Sequence, residues 1–171
     1  LALGDAILQH GPRAPLAVAQ AFDRWMRAKP VDIGNTVRRG ILHWRATGVP
    51  EVPPGDQDAG NGACMRCLPV ALATLGELPA AVRSASRAQA HVTHHNALSD
   101  AATECVIGLV QGALLGASLP ALLTAVVEPL LDAHPQFAYR GRRIDNPGAY
   151  VLQTLGAVLH ALCASDCFES C

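Results

Sequence analysis

Three observations on the sequence predict an all-α fold. Half of the 171 residues are hydrophobic and only 4% are aromatic, with Ala and Leu in long runs. Within these runs the apolar residues recur at the intervals of a helix. The 12 prolines and 15 glycines stand largely between the runs, where they end one helix and begin the next. We therefore expect one helical domain over residues 1–171.

The charge balance argues against a nucleic-acid surface. The formal net charge is -1, and 16% of the residues are charged. Basic residues are scattered apart from Arg38, Arg39 and the stretch 140–143, so no basic face is expected. The sequence does not open with a basic segment followed by an apolar segment, as a secretory signal peptide would. We therefore predict a cytoplasmic location and reduced cysteines.

The first helices are bounded by recognisable residues. Helical spacing starts at Leu1 with no capping residue before it, so the sequence is expected to begin inside a helix. Pro15 suits a first helical turn. Gly34, Asn35 and Thr36 can turn the chain and cap a third helix. The helices predicted in this half are 1 to about 11, 15–28, about 36 through 44, 63–75 with a kink at Pro69, and 79–89.

The second half contains an uncharged stretch, 106–127, that is long enough to cross a bilayer. Gly116 indicates a helix end, and Ser118 with Pro120 indicates a new start, so two core helices are favoured over a membrane span. The helices predicted here are 99 or 100 to 116, 120–133 and 149–162, with a further start at Ser165 and Asp166.

Three polar runs interrupt the helices: VDIGNTVRRG at 31–40, AGNGACMRCLP at 59–69 and HVTHHNALSDA at 91–101. Each run places Gly, Asn, Asp or His where a helix should begin. Helix starts carry unpaired N–H groups and partial positive charge. Several starts that meet in space would therefore bind an anionic, hydroxyl-rich ligand such as a nucleotide sugar. The Pro- and Gly-rich segment 48–62 predicts a flap.

Two of these runs contain candidate site residues. Asp32 and Asn35 share a turn, and a carboxylate beside an amide suits proton transfer and hydroxyl recognition. The alternative is a turn aspartate and a capping asparagine. The glycines of Gly60, Asn61 and Gly62 allow backbone N–H groups to approach phosphate, with the dipole of the next helix behind them. The alternative is a tight loop before a buried helix.

Met65 is expected in the core, and Arg66 is expected in a salt bridge or on a phosphate. Zinc is an alternative reading of the histidines and cysteines. The group at positions 91, 94 and 95 lacks the intervening Glu of a helical zinc motif, so a pocket wall or core role is favoured. Cys64 and Cys67 have zinc-knuckle spacing, and Cys163 begins a four-residue repeat with positions 167 and 171. Without two matched ligand pairs, buried thiols are favoured.

The three runs, followed by LQTLGAVLHALCASDCFESC, resemble in order the ADP-ribosylglycohydrolase family over nearly the whole sequence. The resemblance implies an all-α, compact orthogonal bundle around two divalent cations, Mg or Mn. It also implies hydrolysis of the N-glycosidic bond between ADP-ribose and an arginine of dinitrogenase reductase, which reactivates nitrogenase and regulates nitrogen fixation. Hard divalent ions suit this reaction because they bind ribose hydroxyls and acidify bound water.

The resemblance further implies roles for individual residues. The implied roles are Asp32 as catalytic carboxylate, Asn35 at the ribose, Gly60, Asn61 and Gly62 at the diphosphate, and His94 in the pocket wall. Thr36, Arg38 and Met65 match the family by position only.

Two motifs that supply the metal ligands of this family do not occur in the sequence. Thr-Asp-Asp-Thr would stand just before Leu1, and Asp-x-Asp-Thr just after Cys171. We therefore expect the central segment of an ADP-ribosylglycohydrolase domain, without metal ligands and with little or no hydrolase activity by itself. A helical module that binds ADP-ribose or a protein without chemistry, and a cysteine-ligated metal module, remain alternatives.

Overall fold

A computed structural model describes residues 1–139 and 146–164. Within these ranges the regular elements are helical, apart from one isolated antiparallel bridge between Gly60 and Tyr150. The predicted all-α class is thus confirmed. The α-helices are α1 (Ala2–His10), α2 (Pro15–Arg27), α3 (Asn35–Thr47), α4 (Gly62–Met65), α5 (Leu68–Ala73), α6 (Pro79–Ala90), α7 (Ala97–Leu114), α8 (Leu119–Leu122), α9 (Glu128–Ala133) and α10 (Val151–Ala164).

Helix α7 lies at the centre of the fold. It packs against α4, α5, α6, α8, α9 and α10, as expected for a helix that is apolar around most of its circumference. Two buried clusters flank it. The first includes Leu3, Phe22, Ile41, Val70 and Ile107. The second includes Cys105, Leu130, Phe137, Leu155 and Leu159.

The uncharged stretch 106–127 is divided as the sequence predicts. Helix α7 ends at Leu114, Gly116 has a φ of 83° that favours glycine, and α8 begins at Leu119 with Pro120 in its first turn. A π-helical turn, Leu123–Val127, joins α8 to α9. Among the helices of the described ranges, none has the length and apolar character needed to cross a membrane.

The start of α3 agrees with the expectation, because Gly34, one of the three residues expected there, is its N-cap, although no side chain caps the helix. Two other predicted boundaries are wrong in detail. The expected kinked helix 63–75 is two short helices, because Pro69 occupies the first turn of α5 and ends pairing with the preceding turn. The cap of α7 is Asn96, whose Oδ1 accepts from the N–H groups of Leu98 and Ser99, earlier than expected.

The predicted flap is held against the turn that precedes α7. The Val52 N–H donates to the His91 carbonyl at 2.9 Å, and the Gly55 N–H donates to the His95 carbonyl at 3.0 Å. The Asn96 side chain donates back to the Gly55 carbonyl at 3.0 Å. The basic stretch 140–143 and the expected helix start at 165 and 166 lie outside the described residues.

Helix α3 crosses this same turn at very short range. A Cβ atom added at Gly40 would lie 2.6 Å from the Val92 carbonyl oxygen and 2.7 Å from the Thr93 Cα. Only glycine permits this approach. As a result, α3 lies close to the turn that carries His94.

Candidate functional site

A cavity of about 1550 Å³ opens between α1, the start of α3, the 59–62 loop and the start of α10. The site residues expected from the sequence all line it. They are Asp32, Asn35, Gly60, Asn61, Gly62 and His94. The volume exceeds that of a typical small-ligand pocket, which leaves room for a ligand larger than a drug-sized molecule.

The start of α3 provides the polar rim of the cavity. Asp32 and Asn35 are exposed there. The first backbone bond of the helix runs from the Arg38 N–H to the Gly34 carbonyl at 2.9 Å, which leaves the first three N–H groups of α3 without a partner among the described residues. A 13-residue helix presents partial positive charge at this end, which favours anionic oxygens.

The 59–62 loop is fixed by α10 and the residues before it. The Asn61 N–H donates to the Ala149 carbonyl at 2.9 Å, and the Asn61 side chain donates to Thr154 Oγ1 at 2.9 Å. Asn61 therefore secures the loop, and the N–H groups of Gly60 and Gly62 are the ones that could meet a phosphate. The expected helix dipole behind the loop is weak, because α4 has only four residues.

The His94 ring leaves little room for a side chain at either glycine of this loop. A Cβ at Gly60 would lie 3.1 Å from His94 Nε2, and a Cβ at Gly62 would lie 2.8 Å from Cε1 and 3.0 Å from Nε2. The glycines thus keep the Nε2 edge of the ring next to the cavity. This contact explains the two glycines without requiring a left-handed backbone at either position.

The imidazole of His94 is neutral. The residue is 2% exposed, and burial together with the positive charges of Arg66 and Arg39 lowers its pKa to about 3. At neutral pH it can therefore serve as a hydrogen-bonding wall of the cavity, as expected, and not as a cation.

Arg66 brings an uncompensated cation to the cavity wall. Its Nε donates to Gln89 Oε1 at 2.7 Å, its Nη2 donates to the Gln89 carbonyl and to Thr93 Oγ1 at 2.8 Å each, and its Cζ lies 4.4 Å from the centre of the Phe22 ring. Burial lowers its pKa to about 9, so the group stays charged at neutral pH. Within the described residues it has no carboxylate partner, so the salt-bridge expectation is wrong and an anion is favoured nearby.

Several lining residues were not identified from the sequence. Trp25 looks like a core position of α2 by its spacing but lies at the cavity, and Tyr150 follows the turn before α10. Met65, expected in the core, is 74% exposed and lines the cavity. These side chains provide apolar surface for a ring such as a nucleobase.

The third helix start does not reach the cavity. His91 Nε2 bonds the Asp100 carboxylate at 2.9 Å and stacks on His95 at 3.7 Å between ring centroids. His95 Nδ1 donates to the Val52 carbonyl at 2.7 Å. Both rings thus fix the turn before α7. The expected convergence of several helix starts therefore does not include the start of α7, and the turn before it contributes His94 to the cavity lining.

Among the described cysteines, Cys67 and Cys105 are buried and Cys64 is partly buried. Burial raises the pKa of Cys64 and of Cys105 to about 12 and that of Cys67 to about 11, which disfavours the thiolate that zinc and electrophiles require. Cys163 is exposed on α10. Positions 167 and 171, expected to share its face, lie outside the described residues.

The residues present do not fit a binuclear metal site. The cavity is lined by two carboxylates, Asp5 and Asp32. Over residues 1–139 and 146–164, no group of three or more His, Cys, Asp or Glu side chains is close enough together to hold a metal ion. Hard divalent cations need six or more oxygen ligands, several of them carboxylate in such sites.

The described residues form a helical fold with one large cavity lined by α1, the start of α3 and the 59–62 loop. The ADP-ribosylglycohydrolase family model matches residues 1–171, and the chain belongs to that family. It is 38% identical over 174 residues to the ADP-ribosyl-[dinitrogen reductase] glycohydrolase of Rhodospirillum rubrum. The match covers all of this chain and 57% of the length of that relative.

Proposed function

We propose that the chain forms the ligand-binding part of an enzyme that hydrolyses the bond between ADP-ribose and an arginine side chain of a modified protein. The observation that supports this most is the shared cavity, in which the Asp32 carboxylate, the Asn35 amide, the 60–62 loop and His94 all face one space. The name of the relative favours dinitrogenase reductase as the modified protein, and we adopt that substrate as part of the proposal.

In the proposed binding mode the diphosphate lies where positive charge is concentrated. Gly60 and Gly62 lie beside the Nε2 edge of His94, and Arg66 lines the same cavity on the Nδ1 side of that ring, through Thr93. The ribose that carries the arginine would then extend toward the start of α3, where Asp32 and Asn35 are exposed to the cavity.

The proposed reaction breaks the bond between the anomeric carbon and a guanidine nitrogen. The electron pair of that bond goes to the nitrogen, which gains a proton, and a water oxygen forms the new bond to carbon. Positive charge builds at the anomeric carbon in the transition state, and the carboxylate of Asp32 would stabilise it. Asn35 would hold the ribose hydroxyls in a fixed orientation.

Two divalent cations, Mg or Mn, are part of the proposal for the complete enzyme. Because the described residues hold no suitable ligand group, each step above uses only side chains and backbone of the chain itself. We accordingly propose that the 171 residues alone bind ADP-ribose with little or no turnover. This is also the outcome that a pure binding module would give, so turnover must be tested with the flanking residues present.

The test compares two carboxylates of the same cavity. In the protein extended by the residues encoded on both sides, release of ADP-ribose from ADP-ribosylated dinitrogenase reductase is measured with Mn²⁺. Asp32→Asn should lower kcat by about 100-fold or more, while ADP-ribose affinity changes little. Asp5→Asn, a control at an exposed carboxylate on the α1 side, should retain near-normal turnover. Near-normal rates for Asp32→Asn would remove it from the catalytic role.

A further inference from the structure

The hydroxyl of Thr93 stands between two groups with fixed hydrogen-bonding roles. The residue is 1% exposed. Its Oγ1 lies 2.8 Å from Arg66 Nη2 and 2.7 Å from His94 Nδ1. An arginine only donates hydrogen bonds, so Thr93 Oγ1 accepts from Arg66. The direction of the second bond is then the open question.

The hydroxyl proton of Thr93 determines the direction of the hydrogen bond between Thr93 Oγ1 and His94 Nδ1. Within the described residues, His94 Nδ1 is the other partner of this hydroxyl. If Nδ1 carried a proton and donated to Oγ1, the hydroxyl hydrogen would be buried without an acceptor, which is unfavourable. If Nδ1 accepts, all three groups are satisfied. The chain of donors therefore runs from the guanidinium to the hydroxyl and from the hydroxyl to the ring.

A neutral imidazole whose Nδ1 accepts must carry its proton on Nε2. Nε2 makes no hydrogen bond with the described residues, and it faces the loop in which Gly60 and Gly62 leave room for it. The ring thus presents an N–H donor beside the backbone N–H groups of the two glycines, at the wall of the cavity.

Arg66, the first donor in this series of hydrogen bonds, is itself held in place. Arg66 is held by Gln89 through both the side-chain and the backbone oxygen, and it lies over the Phe22 ring. A lysine at this position could not reproduce these contacts, because it has a single nitrogen in place of a planar fork. The guanidinium also keeps the neighbouring imidazole from gaining a proton, because a second positive charge there would be repelled.

We propose that Arg66 and Thr93 are positioning residues that hold His94 as the neutral Nε2–H tautomer, a fixed donor for an acceptor oxygen of the bound ligand. The ligand in this statement is the diphosphate of ADP-ribose, which rests on the proposed function. The arrangement selects ligands that offer oxygen acceptors beside the 60–62 loop and disfavours ligands that would donate there.

The first test needs no variant. Long-range ¹H–¹⁵N NMR spectra of the histidine-labelled chain should show a pyridine-type Nδ1 and a pyrrole-type Nε2 for His94, unchanged between pH 5 and 8. A pyrrole-type Nδ1, or a cationic ring in that range, would overturn the inference. This readout is independent of any ligand, so it separates the tautomer from the proposed function. The correct tautomer without ADP-ribose binding would count against the proposed function only.

The second test compares two substitutions at one buried position. Thr93→Val keeps the shape and removes the hydroxyl, whereas Thr93→Ser keeps the hydroxyl and removes a methyl group. Calorimetric titration with ADP-ribose should give about tenfold weaker binding for Thr93→Val, with mixed His94 tautomers, and binding within about twofold of wild type for Thr93→Ser. A purely structural role predicts the opposite order, because the serine variant loses packing. Equal affinities for the two variants would also contradict the proposal.

Discussion

Replacement of Gly40 by alanine should both destabilise the protein and loosen the site, although alanine is the better helix former. The added Cβ would lie 2.6 Å from the Val92 carbonyl oxygen, 2.7 Å from the Thr93 Cα and 2.8 Å from the Thr93 Cγ2. Two of these three atoms belong to the backbone, so no side-chain rotation relieves the contact. Helix α3 must move away from the turn that carries His94.

The expected size of the effect follows from two opposing contributions. Overpacking of a tight contact costs about 1–3 kcal/mol, whereas alanine in place of glycine inside a helix gains about 0.5–1 kcal/mol. The difference spans about 0–2.5 kcal/mol, and its mid-value, a net loss of about 1 kcal/mol in unfolding free energy, lowers the Tm of a chain of this size by about 2–4 °C.

Thermal unfolding by circular dichroism measures this change, and ADP-ribose titration measures the effect on the site. The control is Gly4→Ala in α1, where the nearest atom to the new Cβ is Pro69 Cγ at 3.8 Å, an ordinary contact. That variant should be as stable as wild type or more so. If Gly40→Ala melts at or above the wild-type temperature, the close approach of α3 to the turn is not a packing constraint and the reasoning fails.

Three further predictions concern other parts of the fold. Asp23 is buried, but hydrogen bonds from two arginines outweigh that burial and lower its pKa. Its stabilising contribution is present above the unfolded pKa of about 3.9 and lost as pH falls through the folded value. Asp23→Asn should therefore cost about 1–2 kcal/mol in urea unfolding at pH 7 after allowance for solvent screening and progressively less as pH falls below about 3.9; a loss that does not decrease with falling pH would contradict this. Asn96→Ala should cost about 1 kcal/mol by loss of the α7 cap, and an unchanged urea midpoint would show that the cap contributes nothing. Iodoacetamide at pH 8 should label Cys163 well before Cys64, since burial raises the pKa of Cys64 to about 12; mass spectrometry that found equal rates would be inconsistent with a buried thiol.

The elements of the fold were predictable where local chemistry decides them. The break at Gly116, the start of α2 at Pro15 and the start of α6 at Pro79 depend on backbone conformations that glycine and proline fix within a few residues. The boundaries that failed depend on competition between neighbours. Pro69 could kink one helix or begin another, and either Asn96 or Ser99 could be the N-cap of α7.

The candidate site shows the same division. The motifs around Asp32, the 60–62 loop and His94 were recognisable in the sequence because glycine, asparagine and histidine mark helix starts and loops. The exposure of Met65 and the position of Trp25 at the cavity could not be read from helical spacing, which gives the face of a helix but not the partner that covers it. Arg66 was expected in a salt bridge or on a phosphate, and its contacts with Gln89 and Thr93 could not be predicted from the sequence.

By itself, the sequence determined the helical class, most helix positions and the family motifs, because these follow from backbone restrictions and apolar spacing along a short stretch of chain. The tertiary structure decided which helix starts share one cavity, that Asn61 secures its loop to α10, and that Arg66 reaches His94 through Thr93. These contacts join residues from separate elements, and their geometry depends on how closely the helices approach one another. Gly40, where a single missing Cβ lets α3 meet the turn before α7, sets one such distance.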